Sequence, residues 1–314
     1  MAKIAFLFPG QGSQTVGMGK ELSDKFVVAK RVFEEADEAL GFSISKMCFD
    51  GPEEELRKTF NTQPAIVTVS IAAFSVLEEL GIRPDITAGH SVGEYSALVA
   101  AKVLSFSDAV RLVNKRGEFM QEAVPLGEGS MAAILGMERS KVVEICSEVE
   151  KTIGVVQAVN FNCPGQIVIA GATRAVEKAM ELLKAAGAKR AISLPVSAPF
   201  HSTLLKPAAE RLAIELDKVR FSDPVIPVVA NVTGKLMSSG AIIKELLVQQ
   251  AAKPVLWEDC IATVVASGVK VSVEVGPGKV LTGFTKKIAG EIENLNVEDS
   301  DSLQKTLDYF REVR

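Results

Sequence analysis

The pentapeptide Gly89-His90-Ser91-Val92-Gly93 constrains the fold of this chain more than any other feature. It lies between a short apolar run, Asp85 to Gly89, that reads as a strand, and a helical pattern that starts at Val92. A chain passing from strand to helix in so few residues turns sharply. Glycine two positions either side of the serine lets the backbones approach closely enough for that turn, which is the context of a nucleophile elbow. The serine oxygen then stands at a helix N-terminus, where N–H groups and the helix dipole stabilise developing negative charge. A G-x-S-x-G match alone arises by accident in roughly one chain of this length in ten. The strand-to-helix setting gives it weight.

At 314 residues the chain exceeds the usual single-domain length, which predicts a large α/β body with a smaller unit. A composition 47% apolar and 24% charged is enough for a sizeable core and excludes a disordered chain. The opening run to Phe8 reads as a buried strand, and it is too short for a secretory h-region with its cleavage site. No run of 18 apolar residues occurs. The loop after the first strand, Pro9 to Gln14, fits neither nucleotide-binding spacing: a dinucleotide fingerprint would want Gly or Ala at Thr15, and a phosphate loop Gly at Gln14.

Helical patterns follow at 26–40 and 64–80, then at 92–123 with a break at 104–107. Between about 130 and 194 the pattern is strand, helix, strand, turn at Cys163-Pro164-Gly165, strand, helix, strand, a βαββαβ order of ferredoxin-like type. After Pro195 longer units return: a helix near 203–219, a strand at 225–230, helices near 240–250 and 255–267, and a strand at 271–275. The expected organisation is one body from 1–124 and 196–314, with a small unit, 125–195, inserted in it. A charged tail, Glu291 to Asp301, is expected before a last amphipathic helix carrying Leu303, Leu307 and Phe310.

Rare residues narrow the chemistry. A serine needs a base at neutral pH, and the chain has only two histidines. His90 adjoins Ser91 on a turn that points neighbouring side chains apart, so it reads as a residue that shapes the site. His201, in Ala198-Pro199-Phe200-His201-Ser202, is the expected base. No acid between Ser91 and His201 stands out, and Asp217, Asp223 and Asp259 read as surface or turn residues. A carbonyl could orient the imidazole instead, because that role needs only an acceptor at the second ring nitrogen. Arg116 follows on the next helix and is suited to clamp a carboxylate with paired hydrogen bonds. The four cysteines, Cys48, Cys146, Cys163 and Cys260, show no metal-site spacing and read as reduced core thiols, in keeping with a cytoplasmic protein. A net charge of −4 gives no overall basic field for nucleic acid or an anionic membrane.

Eight ordered motifs spread over the whole chain now support a family resemblance. They are Phe8 to Ser13, Thr62 to Ala65, Gly89 to Ala97, Arg116 to Met120, Asn160 to Gln166, Ala198 to Ser202, Gln250 to Trp257 and Glu274 to Gly278. The chain resembles the malonyl-CoA:acyl carrier protein transacylases of type II fatty acid synthesis, and is similar also to polyketide synthase acyltransferase domains. The resemblance implies an α/β-hydrolase-like large domain with an inserted ferredoxin-like subdomain. It also implies that Ser91 is acylated, that His201 is its base, and that the backbone N–H groups of Gln11 and Val92 form an oxyanion hole. Arg116 would hold the malonyl carboxylate and Gln250 would orient His201 through its main-chain carbonyl. His90, Gln63, Asn162 and Phe200 would line the substrate pocket, the Phe200 ring leaving little room for an α-methyl branch.

The implied reaction is ping-pong transfer from malonyl-CoA to the phosphopantetheine thiol of acyl carrier protein, by a monomer, without metal or resident cofactor. Acidic carrier protein would need a local basic patch, either Arg174, Lys178, Lys184, Lys189 and Arg190 or Lys286 with Lys287. A trans-acting polyketide acyltransferase, a serine thioesterase or esterase, and a silent acyl-binding domain are the alternatives. Lys102 stands where the family often has glycine.

Overall fold

The computed structural model describes residues 2–196 and 198–313. Its strands, in chain order, are β1 (Lys3–Phe8), β2 (Ile86–Gly89), β3 (Gly129–Leu135), β4 (Val156–Cys163), β5 (Gln166–Ala172), β6 (Arg190–Ser193), β7 (Val228–Val229), β8 (Leu236–Met237), β9 (Val269–Val275) and β10 (Glu293–Val297). They form a six-stranded sheet in the order β10-β9-β1-β2-β7-β8 and a four-stranded sheet in the order β4-β5-β3-β6. In the large sheet only the β7–β8 pair is antiparallel. The small sheet is antiparallel throughout, with the strand order of a ferredoxin-like unit.

The uninterrupted apolar run of β1 follows from burial on both faces. Phe6 and Phe8 enter the main core, while Ala5 and Leu7 enter a second core on the other face with Trp257 and Ile261. The helix Thr59–Glu79 crosses the main core and is buried on nearly every side. By length and composition alone it could cross a membrane, and its position in the core accounts for that apolar character. It packs against the helix Phe106–Glu122 at close range, since a Cβ on Gly117 would come within 2.5 Å of Phe60 Cα.

The small sheet has two functional faces. Ala132 and Ile134 of β3 pack with Val142, Ile145 and Leu183 of the helices Arg139–Thr152 and Thr173–Ala185. Their alternates Met131 and Ala133 face the other way and line a cavity between the two sheets.

The structure departs from the sequence reading at identifiable places. The expected charged tail contains β10, the edge strand of the large sheet, paired in parallel with β9. Its segment is polar, and Asn294 Oδ1 accepts a hydrogen bond from Ser272 Oγ, so a hydropathy pattern passes over it. The strand expected at 225–230 is only Val228–Val229. The helix near 203–219 begins as a 3₁₀ turn, Thr203–Leu205, and becomes α-helical at Lys206–Asp217 with proline in its first turn. Short helices at Lys20–Lys25, Ile44–Asp50, Glu53–Leu56 and Val280–Ile288 carry too few turns to register as periodicity.

Candidate active site

Ser91 stands between β2 and the helix Gly93–Ala100 with φ 53°, a left-handed conformation that a non-glycine residue rarely takes. The flanking glycines permit the turn. A Cβ on Gly89 would lie 1.9 Å from the Gly93 carbonyl oxygen, and one on Gly93 would lie 2.2 Å from that of Phe8. Asn231 clasps the elbow: its Oδ1 accepts from Ser91 N at 2.7 Å, and its Nδ2 donates to Gly89 O at 2.7 Å.

Ser91 Oγ is 2.7 Å from His201 Nε2, although 110 residues separate them. His201 Nδ1 lies 2.8 Å from the main-chain oxygen of Gln250. A carbonyl only accepts, so Nδ1 carries the proton and Nε2 is left as the acceptor facing Ser91. Burial, and then the nearby Arg116 charge, push His201 down to about 3, so its imidazole is neutral at pH 7. A serine hydroxyl bonded to a neutral imidazole can surrender its proton as it attacks a carbonyl. The acids that sequence reading set aside lie elsewhere: Asp217 and Asp259 make exposed ion pairs with Lys244 and Arg139, and Asp223 accepts from Gly240 N.

Arg116 is 1% exposed, and its guanidinium reaches the same spot. Nη2 donates to Ser91 Oγ at 3.2 Å and to Gln250 Oε1 at 3.0 Å, and Nη1 donates to Gln63 Oε1 at 2.7 Å. Among the described residues no carboxylate hydrogen-bonds to it, and its Nε has no partner. A buried cation with only neutral acceptors is costly unless an anion comes to it.

The cavity around these groups is about 510 Å³ and is lined in part by Gln11, Gln63, His90, Asn162 and Phe200. His90 Nε2 donates to Asn162 Oδ1 at 2.9 Å, and its ring meets Trp257 edge-on at 5.5 Å. Burial holds His90 below the ordinary imidazole range. Gln11 follows β1 at the cavity wall, and Val92 is buried behind Ser91. The backbone N–H groups of both make no hydrogen bond among the described residues. Ser91, His201, Arg116, Gln11, Val92, Gln63, His90, Asn162, Phe200 and Gln250 are thus brought together in or beside one cavity.

Sequence reading missed Asn231 and Glu94. Asn231 is marked only as a polar residue ending the apolar run Val228 to Ala230. Glu94 looks like a helix-terminal acid, yet it is 1% exposed beneath the elbow.

Fold and site together define the class of α/β proteins that carry a serine–histidine pair on a strand-to-helix elbow. The sequence model of the family described as "Acyl transferase domain" matches residues 5–305. A malonyl CoA-acyl carrier protein transacylase of Bacillus subtilis is 52% identical over 312 residues, 99% of this chain and 98% of the relative. The crystal structure of a malonyl CoA-acyl carrier protein transacylase from Clostridium perfringens superposes with TM-score 0.96 at 49% identity, covering 99% of this chain and 98% of that one. A further solved structure, a type II PKS acyl-carrier protein in complex with its malonyl-transacylase, matches with TM-score 0.95 at 46% identity, covering 98% of this chain and 100% of that one. The chain belongs to the acyl transferase family, and within it to the malonyl CoA-acyl carrier protein transacylases.

Proposed function

We propose that this enzyme moves a malonyl group from malonyl-CoA to the phosphopantetheine thiol of acyl carrier protein through a malonyl ester on Ser91, supplying malonyl-carrier protein for fatty acid elongation. The observation that carries the substrate choice is the buried Arg116 guanidinium, 3.2 Å from Ser91 Oγ and hydrogen-bonded only to neutral groups. It offers the free malonyl carboxylate a partner that an uncharged acyl group would leave unused.

In the first half-reaction Ser91 Oγ attacks the thioester carbon as its proton passes to His201 Nε2. The oxyanion rests on the N–H groups of Gln11 and Val92, and coenzyme A leaves with the proton returned by His201. In the second, the carrier thiol gives its proton to His201 and attacks the malonyl ester, and the proton returns to Ser91 Oγ. The carbonyl of Gln250 holds the imidazole in the tautomer both steps require. His90, Gln63, Asn162 and Phe200 shape the acyl pocket. This chemistry calls for no metal or resident cofactor, and every group given a role lies in one chain, which supports action as a monomer. Buried, unpaired cysteines suit a reducing cytoplasm. Of the two basic patches, Lys286 and Lys287 end the helix whose Val280, Leu281 and Phe284 line the cavity, which favours that patch for carrier docking.

Incubation with malonyl-CoA in the absence of carrier protein, followed by peptide mass mapping, tests the reading. A malonyl adduct on the Ser91 peptide is expected, and Arg116→Ala should lose most of the preference for malonyl over acetyl. Release of malonate without an adduct would instead make the enzyme a hydrolase.

A further inference from the structure

The site rests on a carboxylate that the transfer mechanism does not use. Glu94 lies one turn after Ser91 on the elbow helix, 1% exposed, with no cation hydrogen-bonded to it among the described residues. Its Oε2 accepts from Gln250 Nε2 at 2.7 Å and from the backbone N–H of Asn231 at 3.1 Å. Each donor leads to a reacting group. Asn231 bonds the backbone on both sides of Ser91. Gln250 meets the site three ways: Nε2 donates to Ser91 O at 3.0 Å, Oε1 accepts from Arg116, and its main-chain oxygen holds His201.

An ionised carboxylate can only accept. It therefore dictates which end of the Gln250 carboxamide faces it: the NH₂ must point to Glu94, and the oxygen must then point to Arg116. A neutral or absent group at position 94 weakens that instruction, leaving the Ser91 carbonyl oxygen at 3.0 Å as the remaining close acceptor for the NH₂. A flipped carboxamide would aim its NH₂ at the guanidinium, donor against donor, and Arg116 would lose one of the bonds that hold it beside Ser91. We propose that Glu94 is a positioning residue for malonyl selection, acting through the Gln250 carboxamide to fix Arg116 where the acyl carboxylate arrives. This rests on the malonyl-transfer reading above. Burial pushes the Glu94 carboxyl up to about 7, and the hydrogen bonds from Gln250 and Asn231 oppose that push before the Arg116 field does. The same bonds that orient Gln250 thus favour the acceptor form, which predominates above pH 7, where the ratio below is measured.

The test is the ratio of Ser91 acylation rates from malonyl-CoA and acetyl-CoA, followed by intact mass for wild type, Glu94→Ala, Glu94→Gln, Gln250→Ala and the double variant Glu94→Ala/Gln250→Ala. Loss of one charge-assisted bond in a buried network predicts that Glu94→Ala lowers the ratio about tenfold or more. Glu94→Gln keeps the size and one acceptor oxygen, so it should hold the fold while lowering the ratio about threefold, which carries the test if the alanine variant is unstable. In the Gln250→Ala background, Glu94→Ala should lower the ratio no further, because the route from Glu94 to Arg116 is already cut. A ratio within twofold of wild type in Glu94→Gln, whatever happens to the melting temperature, overturns the proposal. Additive losses in the double variant overturn it too. Absence of a malonyl adduct on wild-type Ser91 overturns the underlying function reading and this one with it.

Discussion

Among the described residues, three other than glycine take left-handed backbone conformations, and two of them are Ser91 and His201, at φ 53° and 63°. Strain of that kind persists where surrounding bonds over-determine it, and Asn231 and Gln250 supply those bonds here. The third is Lys102, at φ 59°, exposed and far simpler to explain. Its N–H bonds Val99 O at 2.9 Å and the next N–H, of Val103, bonds Leu98 O at 2.9 Å, which is the Schellman closure of the elbow helix. Glycine fits that position without a Cβ penalty of about 1–2 kcal/mol, though it returns part of the gain as unfolded-state entropy. Lys102→Gly should therefore stabilise the protein by about 0.5–1 kcal/mol and raise Tm by about 1–2 °C in a calorimetric scan, with acylation unchanged. A lower Tm would count against the strain. At this scale Ser91, His201 and Arg116 were legible in the sequence because their chemistry demands particular residue types. Asn231 was not, since its role depends on reaching the Gly89 and Ser91 backbones 142 and 140 positions away.

Elements enter the site through how closely they approach one another. Arg116 and Gln63 meet because the helices Phe106–Glu122 and Thr59–Glu79 nearly touch at Gly117, where an added Cβ would fall 2.5 Å from Phe60 Cα and 2.8 Å from Thr59 O. Both neighbours are backbone, so neither can swing aside. Gly117→Ala must push the helices apart, at a cost of about 1–3 kcal/mol for overpacking, and it moves the residue next to Arg116. The expected result is a KM for malonyl-CoA raised several-fold alongside a lower urea midpoint; a lower midpoint with KM untouched would mean that the helix spacing does not set the clamp. The helix periods themselves were plain in the sequence, as was the βαββαβ order, because amphipathic helices of three or four turns and alternating strands write strong patterns. β10 was hidden for the converse reason. An edge strand half covered by the helix Ser300–Glu312 needs only Val297 fully buried, and its asparagines earn their place by hydrogen bonds that hydropathy does not register.

For the molecule as a whole, four of the buried groups with displaced titrations act between acid and neutral pH and shape how stability answers to it. His201, folded near 3 against 6.5 unfolded, and His90, displaced in the same direction by burial, leave the unfolded chain holding more protons as pH drops below 6.5. Their contribution to stability is thus lost on acidification. Glu94 and Glu274 are pushed by burial up to about 7 from 4.5, so the folded chain holds the extra protons between those values. Their contribution is present below pH 4.5 and lost as pH rises through 7. Between 4.5 and 6.5 His201 on one side and the two carboxyls on the other act with opposite signs, each worth about 1.4 kcal/mol per pH unit, and His90 acts in the direction of His201. The pH dependence of stability in that window should be shallower than the carboxyls alone would give. Below 4.5 only the histidines act and it should fall; from 6.5 to beyond 7 only the carboxyls act and it should fall again. Glu274 is outside the site and caps the helix Val280–Ile288 through the N–H groups of Leu281 and Thr282. Glu274→Gln removes one group of the second sign, so in urea melts its stability relative to wild type should rise by about 1.4 kcal/mol per pH unit from 4.5 to 6.5. A difference between the two proteins that stays constant from pH 4.5 to 6.5 would show that the Glu274 carboxyl titrates near its ordinary value.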